Sequence, residues 1–312
     1  MKPIKIAFIN FKGGVGKTAL AVNFAAKLSE KYKTLLIDLD PQSNSSAWLM
    51  NEVDFRDRNN AQGRGESHKT VNQLFQDQIH GTRYFDFDDA YIPRVVQLRS
   101  GLSVTPKLDL LPNTYLSMDL EGHLAAQASS EDPRGYLQEG LKGFEERYQF
   151  VIIDCAPNLY IMTQNAMVYS NYFIIPQFPD PFSHIGLAIL CERIDKSWSK
   201  YKKVSEQNPK LSLIGTVFSR VRPNTNIGNY KQSITQTLDA AKAKATNDDL
   251  YENSELLDPP ITETWRGMSD SVSEHVPTIY YKPSYPPLAQ YTSDITKFTG
   301  NVMRKIGMEQ GR

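Results

Sequence analysis

Residues 10–18 read "NFKGGVGKT". Gly16-Lys17-Thr18 is the ending of a phosphate-binding loop of pattern G-x-x-x-x-G-K-[ST]. Where that pattern asks for its first glycine the chain has Phe11, and next to it stands a second lysine, Lys12. Backbone N–H groups of Gly13, Gly14, Val15 and Gly16 can converge on an anion, because glycine permits close approach and unusual φ/ψ. A helix starting at the loop adds its positive end to the attraction. Lys17 then lies along the β- and γ-phosphates, Thr18 offers its hydroxyl to Mg²⁺, and Ala19 closes the nucleotide-contacting set. The alternative is a glycine-rich turn with an incidental lysine. The flanks argue against it.

"IKIAFIN" (4–10) is a short apolar run that stops at the glycines. In "TALAVNFAAKLSEKY" (18–32), Leu20, Phe24 and Leu28 recur every fourth residue, which predicts one apolar helical face. "KTLLIDLDP" (33–41) is the next strand. Strand, glycine loop, helix, strand is a βαβ unit and implies a parallel sheet with right-handed crossovers. Further strands are expected in 101–112 (two short runs around Pro106), 150–157, 172–181, 211–221 and 277–281. Helices are expected over 70–75, 133–148, 186–201 and 291–307, and a polar surface loop over 51–69. The fold class is therefore α/β: a doubly wound, mostly parallel sheet with helices on both faces, in a single domain spanning 1–312.

Two acidic motifs follow the loop. Asp38 and Asp40 close the strand in "LLIDLDPQSN", and Asp154 closes the all-apolar run "FVIIDCAP". At the C-terminal edge of a parallel sheet, beside a phosphate loop, such carboxylates can hold magnesium waters or orient an attacking water. Asp154 has the place of a Walker B aspartate. Strand-end surface acids for the first pair, and an N-cap or turn residue for Asp154, are the plainer alternatives.

Composition excludes several classes. Lys plus Arg and Asp plus Glu are 35 each, so net charge points to no polyanion partner. Cys155 and Cys191 make no disulfide framework, zinc set or cluster-ligating group, and a reduced cytoplasmic chain is expected. The five histidines show no metal-binding spacing. No apolar run approaches the roughly 18–20 residues of a membrane span, and no signal peptide is expected.

"KGGVGKT", "LLIDLDPQSN" and "FVIIDCAPN" together resemble the ParA family of partition ATPases, within the deviant-Walker group that includes MinD and the nitrogenase iron protein. "TVNQLF", "LDLLPNTYLSMDLEGHLA", "YFIIPQFPDPFSHIGLAIL" and "VPTIYYKPSYPPLAQYTSDITKF" are similar to intervening and closing segments of that family, so most of the chain is covered. The resemblance implies an ATP/ADP- and Mg²⁺-dependent ATPase, slow without a partner. It implies that Lys12 is the signature lysine that reaches across a homodimer to the other subunit's nucleotide. Lys12 thus joins Gly13, Gly14, Val15, Gly16, Lys17, Thr18 and Ala19 as nucleotide-contacting. Lys12, Lys17 and Asp40 form the catalytic set, and Thr18, Asp38 and Asp154 the metal set. From position alone, Lys12 is equally a solvated lysine beside a glycine turn. The family often has two prolines after the Walker B acid; here Cys155-Ala156-Pro157 stands there.

The resemblance also implies non-specific DNA binding by the ATP-bound dimer, nucleoid association, and a ParB-like or other centromere-binding adaptor. Residues 196–244 hold ten basic against two acidic residues, a local excess of about +8. Lys200, Lys202, Lys203, Arg220 and Arg222, with Arg266 further on, are the DNA-binding candidates; solvated helix faces are the alternative. The loop begins by residue 11, so no N-terminal DNA-binding extension and no operator-specific autoregulation are expected. The rival functions are a MinD-like membrane-associated positioning ATPase and ParA-like positioning of a protein cargo. The first needs a C-terminal membrane helix. The stripe Ile295, Phe298, Val302 and Ile306 instead suits packing in the core. A tyrosine kinase with a C-terminal tyrosine cluster and a scaffold with a dead loop fit less well, the first because of Lys12, the second because Lys17, Thr18, Asp40 and Asp154 are all present.

Overall fold

The computed structural model describes residues 2–60, 69–96, 104–128, 131–204, 210–282 and 285–308. In chain order the elements are β1 (Ile4–Phe8), α1 (Lys17–Ser29), β2 (Thr34–Leu39), α2 (Asn44–Leu49), α3 (Glu52–Arg58), α4 (Val71–His80), α5 (Phe87–Ala90), β3 (Leu108–Leu111), α6 (Leu120–Gln127) and α7 (Tyr136–Gly140). They continue with β4 (Phe150–Cys155), α8 (Ile161–Tyr169), β5 (Tyr172–Gln177), α9 (Ser183–Tyr201), β6 (Ser212–Phe218), α10 (Gly228–Lys244), α11 (Asp248–Tyr251), β7 (Glu255–Leu257), α12 (Trp265–Ser273) and α13 (Pro286–Lys305). The strands lie in the order β3-β2-β4-β1-β5-β6-β7, and each neighbouring pair is parallel.

Alternation along each strand splits the apolar residues between two cores. Ile6 and Phe8 of β1, Leu36 of β2 and Ile152 of β4 face α1 and α13. Ala7, Ile37, Val151 and Ile153 join the opposite core with α4, α7, α8 and α9. The α13 stripe is core: Ile295, Phe298 and Val302 are fully buried, and the Phe298 ring meets Phe24 of α1 edge-on at 5.6 Å. Among the described residues, no helix is long and apolar enough to cross a membrane. β1 is central, and the strand order changes direction around it, so the loop after β1 opens into the crevice where such sheets bind ligands. The register lines up the functional ends: Phe8 and Asp38 both pair with Asp154.

Several elements differ from the sequence expectation. Residues 278–280 form a 3₁₀ turn instead of a strand. Their polar groups are satisfied by α1, with Ile279 N–H donating to Asn23 Oδ1 at 3.0 Å and the Tyr280 hydroxyl to the Ala26 carbonyl at 2.9 Å. The helix expected over 133–148 is broken into a 3₁₀ turn, α7 and a second 3₁₀ turn. Gly140 packs where a Cβ would lie 2.4 Å from Leu74, and Gly143 at φ +85° turns the chain out of the helix. Part of the 51–69 loop is α3, started by the Asn51 side chain accepting from Asp54 N–H. Residues 61–68 of that loop lie outside the described residues, as do 101–103 of the expected first strand run, whose second half is β3. β7 was not anticipated. It is three residues long, too short for a periodicity signal.

The β6–β7 pairing holds the C-terminal half against the sheet, and Gly215 makes it possible: a Cβ there would lie 2.3 Å from the Glu255 carbonyl oxygen. Gly215→Ala is therefore expected to cost about 1–3 kcal/mol. It should lower the midpoint of urea unfolding with the slope unchanged; an unmoved midpoint would contradict this strand pairing.

Candidate active site

The loop between β1 and α1 is shaped by two left-handed glycines, Gly14 (φ +73°) and Gly16 (φ +80°). Asn10 anchors its start, donating from Nδ2 to the Pro176 carbonyl at 2.7 Å and accepting the Lys12 N–H at 2.9 Å. Gly16 is the N-cap of α1, with no side-chain cap and no acid in the first turn. The first N–H groups of this 13-residue helix therefore lack the partner that a capping side chain would give, which suits an anion. The Lys17 ammonium is buried and donates to the Lys12 carbonyl at 3.2 Å. Burial lowers its pKa, against the pull of Asp154 and Asp40.

Three carboxylates gather at the ends of β2 and β4, all buried. Asp38 Oδ2 accepts the Ser46 N–H (2.9 Å) and hydroxyl (2.7 Å). Asp154 Oδ2 accepts the Ser45 hydroxyl at 2.6 Å. Asp40 accepts the Gln42 N–H at 2.9 Å, and its carbonyl accepts from Asn113 Nδ2 at 3.1 Å. Burial is the main cause raising all three pKa values. Asp38 goes well above the ordinary carboxylate range, aided by the Asp154 charge, and Asp154 is pushed up to about 6 against the Ser45 hydrogen bond.

The donor set fits a hard divalent cation. Asp154 Oδ1 is buried and accepts no hydrogen bond from a described residue. Among the described residues no three His, Cys, Asp or Glu side chains form a protein-only metal cage. Mg²⁺ does not need one, since it is held by one or two carboxylates together with phosphate oxygens and water. Thr18 and Asp154 could hold it, and Asp38 is the register partner of Asp154 on the adjacent strand. A cavity of about 520 Å³ is lined by Gly13, Gly14, Gly16, Lys17 and Thr18, by Asp40, and by Trp48, Ile261, Met268 and Tyr291.

Lys12 lies apart from this cluster. Its ammonium is paired with the Asp180 carboxylate on the β5–α9 loop, 5.7 Å from the centre of the Phe178 ring. The DNA-binding candidates divide. Lys200, Lys202 and Lys203 are exposed together at the end of α9, and Arg266 is exposed on α12. Arg220 instead lines the cavity and donates to the Gly14 carbonyl at 2.9 Å, while Glu263 takes both Arg220 and Arg222 at 3.1 Å. Lys210, Lys231 and Lys242 are paired with Asp249, Asp258 and Asp239. The +8 excess is thus smaller in space than along the chain, because Asp249, Asp258 and Glu263 lie beyond residue 244. Glu206 is outside the described residues.

Sequence and fold comparisons give the family and the fold. A family model described as an AAA domain matches residues 4–211. The chain is 30% identical over 245 residues to a ParA family protein of Mycoplasma genitalium, covering 77% of each chain. The chain belongs to the ParA family. It is 28% identical over 256 residues to the chromosome-partitioning ATPase Soj of Treponema pallidum, covering 82% of this chain and 85% of that one. Its fold is that of Cyanothece McdA, solved as an ATP complex, with a TM-score of 0.66 at 18% identity over 100% of this chain and 99% of the other. The chain is accordingly a ParA-like P-loop ATPase.

Sequence reasoning missed the residues that hold this ParA-type site together. Ser45 and Ser46 stand just after "LDPQ", where a serine pair is a legible helix-start signal, though not one that names its acids. Asn113, Asp180, Ser219 and Glu263 carry no local signal at all. The crowding of Asp38 and Asp154 on adjacent strands gives a test. Asp154→Asn is expected to leave the nucleotide-free protein as stable or about 1 kcal/mol more stable at neutral pH, while removing the rise in melting temperature that Mg²⁺ adds to nucleotide. A loss of several degrees in the nucleotide-free variant would show that the carboxylates are not in conflict.

Proposed function

We propose that this chain is a partition-type switch: it dimerises on ATP, binds DNA without sequence preference as that dimer, and is reset by hydrolysis that a centromere-binding adaptor stimulates. The observation that carries this is the placement of the two lysines. Lys17 enters its own loop from within, whereas Lys12 projects to the rim and is held by an exposed-edge ion pair with Asp180. A cation at the rim can serve a site on a second copy, and a charge supplied in trans is worth about 10³ to 10⁵ in rate where studied as an arginine finger.

Within one chain, Gly13–Thr18 would cradle the phosphates and Asp40 would orient or accept a proton from the attacking water, its basicity raised by burial. Mg²⁺ at Thr18 and Asp154 would neutralise phosphate charge. The exposed lysines at the end of α9 and Arg266 supply the DNA contacts. The burial of Ile295, Phe298 and Val302 on α13 speaks against the MinD-like alternative, which would turn that stripe to a membrane.

Two measurements test the proposal. Lys12→Ala should abolish ATP-driven dimerisation in analytical ultracentrifugation, with ATP binding to the monomer changed by no more than about threefold; normal dimerisation of the variant would refute the trans role. DNA binding should require ATP and weaken steeply with salt. Replacing Lys200, Lys202 and Lys203 by alanine should reduce the salt slope by about one for each DNA phosphate that these lysines neutralise. ATP-dependent binding to anionic vesicles in place of DNA would favour a membrane role.

A further inference from the structure

We propose that Ser219 and Arg220 form an outer brace of the phosphate loop, with Arg220 as a positioning residue that orients the loop for nucleotide rather than a DNA contact. The inference rests on the reading of the loop as the nucleotide site. Arg220 donates from Nη1 to the Gly14 carbonyl at 2.9 Å, and the Ser219 hydroxyl donates to the Val15 carbonyl. In a trans peptide the carbonyl and the next N–H point in opposite directions. Two successive peptide planes are thereby fixed, and the N–H groups of Val15 and Gly16 are turned away from the brace. These are two of the donors on which an anion in the loop depends.

The brace is itself held rigidly. Ser219 N–H donates to the Gln177 carbonyl at 2.9 Å, Val221 N–H to the Ile261 carbonyl at 2.9 Å, and Glu263 N–H to the Val221 carbonyl at 2.8 Å. Glu263 takes the second arm of the Arg220 guanidinium at 3.1 Å, and the group lies 5.1 Å from the Phe178 ring centre. A planar fork serves two acceptors at once, which an ammonium on a flexible stem does not. The backbone of Arg220 is left-handed at φ +54°, a conformation that non-glycine residues rarely adopt unless their surroundings impose it. A residue chosen for a solvated cationic surface has no reason to be placed so.

The test uses the full chain and isothermal titration with ADP and with a non-hydrolysable ATP analogue. Arg220→Gly removes the side chain while favouring the backbone conformation, so its fold is not at risk from strain. It is expected to weaken ADP and the ATP analogue by the same factor, about 10- to 100-fold, the range of a lost hydrogen bond from a charged donor. Arg220→Lys is expected to recover part of that loss, and Ser219→Ala to weaken both nucleotides in the same way. Unchanged nucleotide affinity with loss of DNA binding would overturn the proposal in favour of a DNA contact. Loss of ATP-analogue binding with ADP retained would overturn it in favour of direct γ-phosphate contact. Lys17→Ala separates the two levels. If it abolishes nucleotide binding while Arg220→Gly leaves both affinities unchanged, the brace alone fails; if it leaves binding intact, the nucleotide site itself is wrongly placed.

Discussion

The Lys17 ammonium and the carboxylates of Asp38, Asp40 and Asp154 are crowded, all buried, at the carboxyl edge of one parallel sheet. Parallel register imposes the crowding, since Asp38 and Asp154 are direct partners on β2 and β4. Buried carboxylates are tolerable when hydrogen-bonded, and costly when they also face each other. Ser45 and Ser46, both on α2, each satisfy one acid. What these serines do not supply is positive charge. The carboxylates therefore carry a deficit of positive charge that a divalent cation would offset, and ligand binding and local stability would be linked here.

The second lysine obeys a different rule. Its pair with Asp180 leaves both side chains partly exposed, at 41% and 28%. An ion pair so placed is worth about 0–1 kcal/mol, because water already solvates both partners. That is enough to keep Lys12 away from its own loop and too little to hold it against a polyphosphate. A contact this weak can be exchanged at little cost. A fully buried pair would cost several kcal/mol to break.

The fold was legible because apolar runs of strand length alternate with helical stripes from residue 4 to residue 218. The candidate site was legible where spacing is local: Gly13 to Thr18, Asp38 and Asp40, Asp154, which the fold brings to one edge of the sheet. It was illegible wherever one member of a pair comes from far along the chain. Ser219 and Val15 are 204 residues apart, Arg220 and Gly14 are 206, and Lys12 and Asp180 are 168. The helix over Glu52–Arg58 was hidden because its residues are mostly polar, and helix formation there follows from an Asn51 cap rather than an apolar stripe. The run at 277–281 has strand composition, but α1 already offers its backbone and tyrosine partners.

Charge shows the same limit most plainly. Counted along residues 196–244 the chain carries a strong basic excess; in space, Asp249, Asp258 and Glu263, which flank β7, and Glu192 of α9 pair with part of it. Glu263 is the decisive residue. By taking Arg220 and Arg222 together it turns one arginine inward, onto the Gly14 carbonyl, and leaves the other with its side chain 82% exposed. Two arginines separated by a single residue thus belong to different surfaces, one to the phosphate loop and one to solvent. Their common carboxylate joins the phosphate loop to an arginine facing solvent.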